Sequence, residues 1–317
     1  MLIRLPLWLC PAGMMVFGAG MGYAQNYPDK PIRVYTTGAG GASDVATRIM
    51  AQAMSGSFAQ RMVVENRAIV GVEIVAAAPP DGYSLLHYSN VIWLMPLLRS
   101  NVSWDPFRDF VPIVLTQSTP NLLVVHPSLP VKTVRELINF AKARPGKLNY
   151  ASSSTGAGNH VAAELFKAMA GVDIVRINYK GAGVALNDVI SGQIQVMFPS
   201  AGSATQYVKA GRLRALAVTS LGPSALAPDM PTVAAAGLPG YESVSMTGMF
   251  APAKTPDWII RELNQEIVLA LRKPEVKERF LNSGMEVAAG SPEDFAATIK
   301  SEMTRVGKII SDAGLRE

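Results

Sequence analysis

Two hydrophobic rhythms take turns along the chain. Short runs rich in β-branched and aromatic residues, "PIRVYTT" (31–37), "RMVVEN" (61–66), "YSLLHYS" (83–89), "NLLVVHP" (121–127), "KLNYAS" (147–152), "DIVRINY" (173–179), "IQVMFPS" (194–200) and "LRALAVTS" (213–220), predict strands. Between them, apolar residues spaced three and four apart predict helices over 43–56, 133–144, 159–170 and 201–210. Thr133 and Glu136 form a capping box, Pro145-Gly146 stops that helix, and Gly171 closes the next one. "GVEIVAAAPPDG" starts as a helix and breaks at Pro79-Pro80-Asp81-Gly82. Two late helices begin at Thr255-Pro256-Asp257 and Ser291-Pro292-Glu293-Asp294, where a cap residue precedes a proline expected at the first helical position.

Strand and helix alternate nearly throughout, which predicts an α/β protein with mostly parallel strands. The 317 residues, 49% of them hydrophobic, are enough to fill two cores. Extended stretches near 124–130 and 243–252 suggest two crossings between lobes. Residues 25–124 plus 249–317 would then form a discontinuous first lobe, and 125–248 the second.

Residues 1–24 change the picture. Arg4 precedes an uncharged stretch that ends in small residues, and Gly22-Tyr23-Ala24 before Gln25 fits signal-peptide cleavage near Ala24. The competing readings are an uncleaved anchor, for which the glycines and prolines are poor, and lipidation at Cys10, which Leu9 and Trp8 precede where a small residue is usual. Cys10 is the only cysteine. The exported chain would therefore carry no disulfide, catalytic thiolate or thiolate metal site. The net charge of +5 is scattered, with no basic block interleaved with aromatics, so nucleic acid is not an expected partner.

Candidate chemistry gathers at two strand–turn–helix junctions. "TTGAGGASD" (36–44) comes within one residue of the dinucleotide fingerprint, with Glu65 placed as a ribose acid. Ser43 replaces the third glycine, Asp44 would repel a pyrophosphate docked on the same amides, and export is a poor setting for a free nicotinamide cofactor. "ASSSTGAGNH" (151–160) repeats the pattern in the second half. Each helix start offers N–H groups and positive dipole charge to an anion. Thr36, Thr37 and Ser43 add hydroxyls at the first turn, as Ser152, Ser153, Ser154 and Thr155 do at the second. On pattern alone, two anion-binding turns and two ordinary βα loops stand about even.

The enzyme readings are thin. His87, His126 and His160 lie on separate elements without metal-ligand spacing. Neither a G-x-S-x-G elbow nor a Walker A motif occurs. A hydrolase would have to use Ser153 or Ser154 with His160 as base, and a cofactor enzyme would use residues 38–43.

The whole exported chain resembles the Bug receptors, the periplasmic solute-binding proteins of tripartite tricarboxylate transport systems. The matching stretches are "YPDKPIRV" at its start, "GGASD" (40–44), "VVENR" (63–67), "APPDGYSLL" (78–86), "DPFRDFVPI" (105–113), "PGKLNYASSSTGAGNH" (145–160), "YKGAGVALNDVISGQIQVMF" (179–198), "GRLRALAVTS" (211–220) and "PTVAAAGLPGYE" (231–242). The resemblance implies a type II-like periplasmic-binding fold with the ligand cleft between two lobes, no cofactor, and a membrane transporter as partner to a monomeric receptor. It implies that the "GGASD" and "SSSTGAGNH" loops hold the ligand's carboxylate, partly through ordered water.

Two departures matter. Thr37-Gly38-Ala39 stands where many relatives carry prolines. Ser200 follows "QVMFP" where relatives often show Asp or Asn, so no carboxylate stands there to face an ammonium group. A plain mono- or dicarboxylate is therefore expected rather than an amino acid. The candidate contacts are Thr37, Gly38, Gly40, Gly41, Ser43 and Asp44 in the first turn, and Ser153, Ser154, Thr155, Gly158, Asn159 and His160 in the second. Ser89 and Asn90, with Trp93, follow a strand end where open α/β sheets place ligands, and Ser200 completes the set. Arg48 reads as the i, i+4 partner of Asp44, and Lys180 as a cationic contact or a solvated turn residue. Met246, Thr247 and Met249 read as hinge residues, and Trp104 and Trp258 as packing.

Overall fold

The strand rhythm resolves into two separate sheets. A computed structural model describes residues 27–56, 60–153 and 157–312, so the expected signal segment and its cleavage point lie outside the described residues. In chain order the elements begin β1 (Ile32–Thr36), α1 (Ala42–Ala53), β2 (Met62–Asn66), α2 (Val70–Ala76), β3 (Ser84–Ser89), α3 (Val91–Leu98) and β4 (Phe110–Pro120). The second sheet follows, with β5 (Leu122–Val125), α4 (Val134–Lys142), β6 (Leu148–Ser152), α5 (Gly158–Ala170), β7 (Ile174–Asn178), α6 (Ala182–Ile190), β8 (Val196–Met197), α7 (Ala201–Lys209) and β9 (Arg214–Val218). The chain then returns through β10 (Val244–Pro252), α8 (Asp257–Arg272), α9 (Pro274–Asn282), β11 (Glu286–Val287) and α10 (Pro292–Asp312).

The first sheet runs β11-β4-β10-β3-β1-β2 and the second β7-β6-β8-β5-β9. The parallel expectation holds within β2-β1-β3 and β7-β6-β8. It fails for short β11, antiparallel to β4, and for the two strands that enter a new lobe, β10 (antiparallel to β3 and β4) and β5 (antiparallel to β8 and β9). These two strands follow the crossings from one lobe to the other, so no same-sheet crossover helix forces them parallel. All of β5 lies in the second sheet and all of β10 in the first. The chain thus passes between sheets at Asn121 and ahead of Val244, a few residues before the positions 124/125 and 248/249 read from sequence.

Buried Thr219 ties the two crossings together. Its hydroxyl accepts the Asn121 N–H at 2.7 Å and donates to the Ser243 carbonyl at 2.6 Å. Each lobe has its own cores, with Ile32, Val34 and Leu263 in one and Leu123, Tyr150 and Phe166 in another. Helix α10 spans both: Val306 and Ile310 pack in the first lobe, while Ile309 joins the second lobe's core.

Local signals mostly act as the sequence suggests. The Thr133 hydroxyl accepts the Glu136 N–H, and Glu136 accepts the Lys132 N–H in return. Ser291 caps the Asp294 N–H ahead of Pro292. Pro256 differs, standing at the N-cap of α8 rather than inside it. Trp104 is buried as expected, whereas Trp258 is 49% exposed and meets Tyr27 edge-on.

Candidate functional site

The first glycine turn is braced from within. Gly41 N–H bonds the Gly38 carbonyl, and Gly40 takes φ +80° and donates its N–H to Asp44 at 2.9 Å. The buried Asp44 carboxylate also accepts Arg48 at 2.9 Å and Asn66 at 2.8 Å. Arg48 is therefore the helix partner that its spacing suggests. Burial alone would raise the Asp44 pKa, but the bonds from Asn66, Gly40 and Arg48 outweigh it and hold the carboxyl below its ordinary value. Asp44 shapes the turn and is not among the residues lining the cavity beside it.

That cavity, about 460 Å³, lies between the lobes. From the first lobe it is lined by Thr37, Gly41, Ala42, Ser43, Ser89, Gln117, Thr119, Ser245, Thr247, Ser283, Gly284 and Met285, and from the second by Ser200, Gly202 and Ser203. Among the described residues every lining side chain is uncharged. Two helix starts face it from opposite lobes, α1 behind its N-cap Gly41 and α7 behind its N-cap Ser200, and among the described residues no side chain caps the first N–H groups of either. Backbone donors and the two dipoles supply the positive potential there.

The wall is held by a hydrogen-bonded network. Thr247 links Ser43 (3.5 Å) and Gln117 (3.0 Å), while its carbonyl accepts Thr116. Behind it, fully buried His87 spans Thr47 at 2.6 Å and Thr116 at 2.8 Å, a neutral ring donating to Thr116 and accepting from Thr47, whose oxygen also lies 2.6 Å from the Ser43 carbonyl. Burial pushes the His87 pKa down to about 3, so the ring is neutral at pH 7. The buried atoms Thr37 Oγ1, Gln117 Oε1 and Asn121 Nδ2 have no hydrogen-bond partner among the described residues.

The second turn meets this site at its edge. Gly158, the first residue of α5, lies so close to Ser245 that a Cβ there would stand 2.8 Å from the Ser245 hydroxyl. Asn159 Oδ1 accepts the Ser153 N–H and hydroxyl at 3.3 and 3.0 Å. Arg176 braces the turn through Ser152 Oγ and the Ser153 carbonyl. His160 is buried, and burial, with the Arg176 charge second, lowers its pKa to about 4. Ser154 and Thr155 lie outside the described residues.

The family model described as tripartite tricarboxylate transporter family receptor (TctC) matches residues 46–315. This chain belongs to that family. Protein BugT of Bordetella pertussis is 30% identical over 97% of this chain and 98% of its own length. The Rhodopseudomonas palustris protein Rpa4515, solved with adipate, is 32% identical with a TM-score of 0.75, covering 91% of this chain and 99% of its own. MatC of Rhodopseudomonas palustris, solved with bound malate, is 26% identical with a TM-score of 0.70, covering 90% and 100%. The resemblance to Bug receptors and the two-lobed solute-binding fold are both borne out by these matches.

Within this tricarboxylate transporter receptor, the residues expected from sequence divide. Thr37, Gly41, Ser43, Ser89 and Ser200 line the cavity; Gly38 and Gly40 form the turn beneath it. Asn90 is not among the lining residues: its half-buried amide donates to Glu302 at 3.1 Å, and the buried Trp93 ring donates to the same carboxylate at 2.5 Å. Sequence reasoning missed Gln117 and Thr119 on β4, Ser245 on β10, and Ser283, Gly284 and Met285 after α9. The receptor brings them together across sheet pairings, a relation that local periodicity does not carry. Thr247, read as a hinge residue, is a wall residue as well.

Proposed function

We propose that this chain is an exported, monomeric solute receptor that captures a small mono- or dicarboxylate in the interlobe cavity and presents the closed form to the membrane subunits of a tripartite transporter. The observation that carries the reading is the pair of uncapped helix starts, α1 and α7, facing an uncharged polar cavity from opposite lobes. A helix N-terminus stabilises a carboxylate without a cationic side chain. Two such ends favour a ligand with two carboxylates, one for each lobe, and a ligand touching both lobes selects the closed form. Of the cavity-lining atoms without a partner among the described residues, the Thr37 hydroxyl can donate to a ligand oxygen and Gln117 Oε1 can accept from ordered water. An amino acid fits poorly, because its ammonium would lack an anionic partner among the described lining residues. The adipate and malate bound by the two Rhodopseudomonas palustris relatives agree with this class. The receptor would act outside the cytoplasm after cleavage near Ala24.

The test is a thermal-shift screen of residues 25–317, unfolded and refolded to strip any carried ligand. The panel holds adipate, malate, succinate, acetate, several amino acids, phosphate and NAD. A ligand at about 100 times its dissociation constant adds roughly 2.7 kcal/mol and raises the midpoint. Carboxylates should shift it, and amino acids and NAD should not. No shift with any carboxylate would overturn the proposal.

A further inference from the structure

Apart from the hinge, the segment after α9 joins the lobes at two points. The first is a meeting of backbones. Gly284, at φ +74°, lies against Gly202 in the first turn of α7, so that a Cβ built on either would stand 3.1 Å from the other's Cα. A side chain at either position would have to push the two backbones apart by a few tenths of an ångström.

The second point is a carboxylate that gathers hydrogen bonds from neutral donors. Two residues further on, Glu286 Oε1 accepts the Ser224 hydroxyl at 2.8 Å, the Ala225 N–H at 2.5 Å and, more weakly, the Leu226 N–H at 3.4 Å. Residues 224–226 belong to the second lobe: Ser224 is buried, and Leu226 and Ala227 pack in that lobe's core. Charge-assisted bonds of this kind are about twice as strong as neutral ones.

The same piece of chain is also cavity wall. Ser283, Gly284 and Met285 line the cavity, and β11 pairs with β4 so that Glu286 faces Ser118 and Val287 faces Gln117. A pivot at the Thr219-stapled hinge that opens the cavity must therefore part Gly202 from Gly284 and Glu286 from residues 224–226. We propose that Glu286 is a positioning residue for ligand capture: it clasps the second lobe shut over the cavity and sets how slowly ligand leaves. The proposal rests on the reading of the cavity as the ligand site. Because the clasp exists only in the closed form, its loss acts on dissociation and leaves encounter with the open form unchanged.

The experiment uses residues 25–317, which exclude the chain's only cysteine, Cys10. Cysteines introduced at exposed Leu281 of the first lobe and Leu221 of the second carry nitroxide labels, and pulsed EPR reads their separation. Glu286→Ala and Ser224→Ala should both shift the distribution to longer, broader distances. Glu286→Gln, whose amide oxygen still accepts N–H bonds, should restore most of the native distribution. With adipate as probe, Glu286→Ala should release ligand about tenfold faster, the scale of losing hydrogen bonds to a charged group, with association unchanged. Distances identical to the parent in both alanine variants would overturn the clasp, as would slowed association with unchanged release. If the parent binds none of the carboxylates, the ligand reading fails by itself, and the label distances still decide the clasp.

Discussion

Asp44 accepts the backbone N–H of Gly40, four residues earlier, at 2.9 Å. The bond folds the first glycine turn back onto the helix that follows it, so a residue expected to face the ligand instead shapes a loop that lines the interlobe cavity. Asp44→Ala leaves the Gly40 N–H without its acceptor and takes one of two acceptors from the Asn66 amide, which keeps the Thr37 carbonyl; it should cost about 2 kcal/mol in denaturant unfolding while weakening carboxylate binding. Because the folded pKa lies below the ordinary value of 3.8, the carboxylate's stabilisation is complete above that value and is lost as pH falls toward the lowered one. Unfolding midpoints of the parent and of Asp44→Ala should therefore converge in acid.

His87 acts in the same direction over a higher window. Its pKa falls from 6.5 to about 3 on folding, so the unfolded chain binds the extra proton between those values and stability drops as pH falls through them. His87→Gln, which keeps two polar ends near Thr47 and Thr116, should flatten the dependence of thermal midpoint on pH between about 3 and 6.5. An unchanged slope would mean that another group carries the loss.

Glu302 has the opposite sign. Burial raises its pKa from 4.5 to about 7, against the bonds from Trp93 and Asn90. Here the folded state binds the extra proton, so this group lowers stability as pH rises from 4.5 to about 7. Glu302→Gln should gain relative to the parent across that interval, by scanning calorimetry, and the gain should level off above it.

Gly248 marks a close approach beside the cavity wall. A Cβ there would stand 2.2 Å from the Phe295 ring and 3.0 Å from the Val114 carbonyl. Gly248→Ala should be destabilised by about 1–3 kcal/mol, the scale of overpacking a fitted core. Guanidinium unfolding should show a lower midpoint with the same slope.

Much of the frame was legible in the sequence, because period-two runs, the Thr133–Glu136 capping box and the glycine turns are local signals. What the chain does across distance was not. Asn90 follows a strand end and reads as a ligand contact, yet its partner Glu302 stands 212 residues away on α10. Gln117 and Thr119 lie on a strand whose period does not say which face meets a cleft. Gly202 and Gly284 are unremarkable apart and meaningful only when their backbones touch. The parallel expectation failed where the chain changes lobes, since the crossover rule describes connections within one sheet.

A crystal structure of refolded residues 25–317 with adipate would show where the ligand sits. Carboxylate oxygens are expected within about 3 Å of the first N–H groups of α1 and of α7, with Ser43 and Ser200 beside them. Adipate seated elsewhere, for instance in the mixed-charge hollow that Lys30, Arg33 and Arg61 share with Glu65 and Asp81 at the far ends of β1 and β2, would overturn the proposed site.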